Sequence, residues 1–161
     1  MMGELFTPLI NNIHKTVVVE AAAGNNAAEP EVDFNCRFME YLNKLEGFKT
    51  KGKNLHWAAP KKNVHEYLDS LISEIGEFQD GIAEDYMGIN GQFQPNVLKG
   101  CESQALNAFD FINELSCATE CFYNMIPECV CYAGIKSETE TFIHTLNKYK
   151  YLFKLCDIKL Y

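Results

Sequence analysis

The stretch VHEYLDSLISEIGEFQDGIAE, residues 64–84, carries His65, Asp69, Asp80 and Glu84. The steps between them are four, eleven and four residues, so at 3.6 residues per turn all four fall on one narrow stripe of a helix. Each i,i+4 pair can converge on one cation, and a mixture of imidazole nitrogen and carboxylate oxygen suits iron, manganese or zinc. The same stripe also holds Ile72, Gly76, Ala83 and Met87. Apolar and acidic residues interleaved in this way are equally the ordinary pattern of a helix at the boundary between core and solvent.

Geometry sharpens the metal reading. Eleven residues at about 1.5 Å each set the two pairs about 16 Å apart along the axis, far beyond the ~2 Å reach of a metal bond. One chain's helix cannot close such a site. If two copies pack antiparallel about a twofold axis near Glu74 and Ile75, His65 and Asp69 of one chain meet Asp80 and Glu84 of the other. Two equivalent sites then form at the dimer interface. His56, near the end of the preceding helix, is a further candidate, so each site would gather two histidines and three carboxylates.

The elements that must position these residues are helical. Phe34, Phe38, Tyr41, Leu45 and Phe48 step by four and three, which predicts a first helix over about 33–58. Pro60 stops it, and Asn63 followed by Glu66 has the form of a capping box, which predicts a second helix from Val64 to about Ile89. Asn90, Gly91 and Pro95 then break the chain before a long connection. A third helix is predicted over 101–126, with Leu106, Phe109, Ile112 and Leu115 as core, ended by Pro127. A fourth, over 137–157, repeats Phe142, Leu146, Tyr149, Phe153 and Cys156, and Lys148, Lys150, Lys154 and Lys159 crowd its end, where cations favour the helix dipole. The fold class is therefore all-α, a ferritin-like antiparallel four-helix bundle with a long crossover between helices two and three. Residues 1–32, with the small-residue stretch AAAGNNAAEPE, are read as an N-terminal arm and linker, and 33–161 as the bundle.

With 161 residues and 47% hydrophobic content, one domain with a proper core is expected. A formal net charge of -8 and an arm without a basic run argue against a phosphate backbone as partner, so DNA binding is not expected. The first twenty residues lack the pattern of a secretory signal, and no apolar run has the length of a membrane span, so a cytoplasmic protein with no membrane partner is expected. Cys36, Cys101, Cys117, Cys121, Cys129, Cys131 and Cys156 form an odd set, read as reduced, mostly buried thiols without a structural disulfide. A thiolate zinc site from Cys117, Cys121, Cys129 and Cys131 lacks Cys-x-x-Cys spacing and is disfavoured. His144 follows Glu140 by four but has no partner pair elsewhere and is read as a surface residue, and His14, in the arm, is equally uninformative.

The string LHWAAPKKNVHEYLDSLISEIGEFQDGIAEDYMGINGQF resembles the ferroxidase region of the Dps-type mini-ferritins. That region has a His-Trp pair, a Pro-containing turn, then His-Glu, with Asp at +4, Asp at +15 and Glu at +19 from the second histidine. Here these are His56-Trp57, Pro60, His65-Glu66, Asp69, Asp80 and Glu84. The turn between the histidines is shorter than the family's, and the basic tail that many members use for DNA is absent. The resemblance implies a homo-oligomer, dimers assembling into a twelve-subunit hollow shell, that oxidises Fe(II) with hydrogen peroxide or dioxygen and stores the ferric product. It implies His56, His65 and Asp69 from one subunit, with Asp80 and Glu84 from its mate, as the di-iron catalytic and metal-binding set. Trp57 would correspond to the family aromatic near the site, although core packing is the simpler reading. A catalytically silent ferritin-like shell or interaction protein is the alternative. The larger ferritins need two Glu-x-x-His motifs within one chain, and this sequence has none.

Overall fold

The structure, a computed structural model, describes residues 33–157. The arm and linker over 1–32, with His14, and Lys159 lie outside the described residues. Among the described residues four α-helices follow in order: α1 (Phe34–Ala58), α2 (Lys62–Asn90), α3 (Ala108–Met125) and α4 (Ala133–Asp157), with a 3-10 turn, Val130–Tyr132, leading into the last. No strand occurs among the described residues.

α1 packs on α2 and α3, and α4 packs on the same two. Aromatic pairs lock these seams and fix their directions. Phe38 of α1 stacks on Tyr86 of α2 at 4.0 Å, Tyr41 of α1 on Phe122 of α3 at 4.1 Å, and Phe78 of α2 on Phe142 of α4 at 4.1 Å. Early α1 meets late α2 and late α3, and Tyr67, early in α2, meets Phe153, late in α4, at 6.3 Å, so α1 runs antiparallel to α2 and α3, and α2 to α4. The predicted stripes of α1 and α4 are buried as expected, with Phe38 and Leu45 at 0% exposure and Leu146 at 1%. The buried polar atoms are matched: Tyr41 Oη donates to Thr119 Oγ1 at 2.8 Å, and Gln79 Nε2 donates to the Leu42 carbonyl at 3.0 Å.

The connection 91–107 runs beside α1. Phe93 packs against Phe38, the Lys99 amide donates to Asn43 Oδ1 at 2.7 Å, and Cys101 lies against Gly47 so closely that a Cβ there would overlap the Cys101 carbonyl. Glycine at 47 is what admits this approach.

Three boundaries differ from the sequence expectation. α3 begins at Ala108 rather than 101, because Asn107 Oδ1 accepts from the amides of Phe109 and Asp110, both at 2.9 Å, while residues 99–105 are held on α1 and by Ser103 Oγ donating to Glu114 at 2.6 Å. Ile112 and Leu115 are core, but Leu106 is 84% exposed and Phe109 41%, and Phe111 and Phe122 take the buried positions. α2 begins at Lys62, not Val64. The capping box does not form: the His65 amide already donates to the Lys61 carbonyl at 3.0 Å, placing Asn63 inside the first turn, where its Nδ2 meets Cys156 Sγ at 3.1 Å. α4 starts at Ala133 rather than 137, because the 3-10 turn feeds it directly and Ile135 is buried there.

The cysteines also depart from expectation. Cys129 and Cys131 are joined by a disulfide across a Cα–Cα distance of 5.4 Å, within the span a disulfide bridges. Extended backbone at Cys129 followed by the tight turn brings side chains two residues apart to one side, a pairing that helical spacing does not suggest. Of the cysteines outside the disulfide, Cys36, Cys101, Cys117 and Cys121 are exposed and Cys156 is buried. Among the described residues no helix is long and apolar enough to cross a membrane.

Candidate metal centre

The end of α1 and the start of α2 meet at a tight turn, and the chemistry of that turn begins with Pro60. A proline has no amide hydrogen, so beyond the helix end the His56 carbonyl receives only the Ala59 amide, at 3.3 Å. His65 Nδ1 completes it at 2.9 Å. The relation is reciprocal: His56 Nδ1 lies 3.1 Å from the His65 carbonyl. The two rings stack with centroids 3.7 Å apart and planes 28° from parallel.

These bonds fix the tautomers by elimination. A carbonyl oxygen only accepts, so Nδ1 of each ring carries the hydrogen, and in a neutral imidazole the lone pair is then at Nε2. Histidines that ligate metals are held in this way, one nitrogen tied to a backbone carbonyl and the other left to the ion. His56 is buried at 8% exposure and His65 is exposed, so the pair spans the boundary between interior and surface.

Asp69, one turn beyond His65, joins them. Its Oδ1 is 3.8 Å from His56 Nδ1 and 3.4 Å from Lys53 Nζ. The carbonyl of His65 is the nearer partner of His56, so the contact with Asp69 is secondary to that bond. Lys53 was not singled out in the sequence; it comes from α1, sixteen residues away, and only the packing of α1 on α2 brings it there.

Asp80 and Glu84 lie farther along α2, exposed on the same face, with Ile72, Gly76, Ala83 and Met87 half-buried beside them. They do not meet His56, His65 or Asp69 within the chain. Among the described residues no group of three His, Cys, Asp or Glu side chains is gathered to hold an ion. A second residue absent from the sequence reading, Glu138 of α4, brings a carboxylate to this end of α2. Burial pushes its carboxyl above the usual range, and the charges of Asp85 and Glu84 push it further. No signal in the sequence links it to α2, since the contact depends on how α4 packs.

Trp57 is 70% exposed, so the core-packing expectation does not hold; it follows buried His56 by one residue, about 100° further round the helix and out of the core. His144 is exposed, as expected. The thiolate zinc site is ruled out in this form, because Cys129 and Cys131 are bonded to each other. Comparison with known proteins gives no family model, no curated protein and no solved structure that matches the chain.

Proposed function

We propose that the chain is a subunit of a Dps-type mini-ferritin, a ferroxidase that oxidises Fe(II) at sites shared between two subunits and stores ferric iron in a cage. The single observation that carries this reading is the paired tethering of His56 and His65 through Nδ1, which leaves two Nε2 atoms and the exposed Asp69 carboxylate at one turn. Neutral nitrogens hold a ferrous ion without adding negative charge, and carboxylates favour the ferric state that follows. Asp80 and Glu84 of a twofold-related α2 would complete the set. Fe(II) is the substrate: two ferrous ions give one electron each, and with two protons these convert one hydrogen peroxide to two waters. Four antiparallel helices, with a long connection lying along α1, suit the ferritin-like arrangement with its crossover.

One observation favours a second reading. The chain's own cation, Lys53, already stands at Asp69, which would suit a shell whose acidic face pairs internally and oxidises nothing. Anaerobic Fe(II) titration followed by oxidant separates the two. A ferric absorbance rise faster than buffer, lost in Asp80→Ala/Glu84→Ala, is expected; equal rates in wild type, variant and buffer sink the ferroxidase. Light scattering tests the assembly, since a monomer cannot form the site.

A further inference from the structure

A groove of about 430 Å³ lies between α1, α3 and the connection, remote from the histidine turn, and three thiols line it: Cys101, Cys117 and Cys121. Cys117 and Cys121 are one helical turn apart on α3, exposed on the same face and lining the same groove, close enough that each side chain feels the other. Lys44 of α1 lines the groove with them, beside Glu102 and Glu114, and its charge favours the Cys121 thiolate while that of Glu120 opposes it. The geometry points to a two-thiolate site for a soft monovalent cation, Cu(I), bridged between Cys117 and Cys121 with Lys44 as its counter-charge.

The argument rests on coordination number and charge. Sulfur ligands select soft ions, and Cu(I) is satisfied by two thiolates, whereas Zn(II) calls for four donors in a tetrahedron. Among the described residues no third His, Cys, Asp or Glu joins this pair in a ligating group, so the groove suits the lower coordination number. Binding takes one Cu(I) and two thiols to a bis-thiolate complex of charge −1, releasing two protons. An ammonium beside that complex offsets its charge. The free pair resists ionising twice: its surroundings push the Cys121 thiol up, and Cys117 beside it pushes further. A cation between the sulfurs removes that repulsion. Cys101 also lines the groove and adds to its sulfur-rich lining.

The test is anaerobic Cu(I) titration of the full chain against a chromophoric Cu(I) chelator, with Zn(II) in parallel. The expected result is one Cu(I) equivalent that disappears in Cys117→Ser/Cys121→Ser and persists in Cys36→Ser. Lys44→Met, which keeps both sulfurs, should weaken the same equivalent about tenfold, the effect of losing an outer-sphere partner. Circular dichroism checks the fold of each variant, and the single Cys121→Ser replaces the double if that one misfolds. Unchanged uptake after loss of the sulfurs, or Zn(II) displacing Cu(I) at equal concentration, overturns the site.

Discussion

His56 and His65, nine positions apart in the chain, hold each other through their main chains: Nδ1 of each ring meets the carbonyl of the other residue, at 3.1 and 2.9 Å. Nitrogen NMR of the imidazoles at mildly alkaline pH, where ordinary histidines are neutral, should therefore show both rings protonated at Nδ1. A ring protonated at Nε2 would remove the ligand geometry on which the iron reading stands.

Lys53 competes for Asp69 from 3.4 Å, across a pair that is about half exposed. Such pairs are weak, so Lys53→Met should raise anaerobic Fe(II) affinity only about two- to fivefold. Weaker Fe(II) binding in this variant would mean that Lys53 supports the site rather than blocking it.

The Tyr41 and Thr119 hydroxyls form a buried chain, Tyr41 donating to Thr119 and Thr119 to the Leu115 carbonyl. Tyr41→Phe leaves the second bond intact and should cost about 1 kcal/mol, whereas Thr119→Val strands a buried phenol and should cost about 1–3 kcal/mol. Urea unfolding midpoints at constant m report the order, and the reverse order would show that water reaches the phenol.

Gly47 faces the Cys101 backbone, while nothing approaches the Cβ position of Gly88. Gly47→Ala should lose about 1–3 kcal/mol through overpacking against main chain that cannot rotate away. Gly88→Ala should instead gain about 0.5–1 kcal/mol from its helical position. Thermal melts of the two variants should move in opposite directions.

Glu138 binds its proton more tightly in the folded chain than in the unfolded one, first through burial and then through Asp85 and Glu84. A raised carboxyl contributes stability below its unfolded value, and that contribution is lost as pH rises through the folded value. Glu138→Gln should therefore melt higher than wild type at neutral pH, and the gap should close as pH falls through the carboxylate range. A gap that is constant with pH would mean that Glu138 does not titrate on folding.

The stripes of α1 and α4 were legible because their apolar residues recur at four and three without interruption, and a periodic pattern of that length needs no partner to be read. The start of α3 was not, because residues 99–105 are held by Asn43, Gly47 and Glu114, contacts that no local spacing encodes. Of the candidate site, the common face of His65, Asp69, Asp80 and Glu84 followed from helical period alone. That His56 reaches His65 across a short turn, and that Lys53 and Glu138 stand near the stripe, are products of helix packing. The disulfide escaped because Cys129 and Cys131 lie outside the α-helices, in a 3-10 turn and its cap, where side-chain direction follows the turn.

Pro60 is not itself a candidate ligand, yet an imino acid at this position leaves the His56 carbonyl open to His65 Nδ1. Any ordinary residue there would bring a hydrogen that could claim the His56 carbonyl, releasing the ring to flip and to offer either nitrogen. Which nitrogen a side chain on one helix presents is thus set by a missing atom in the turn before it.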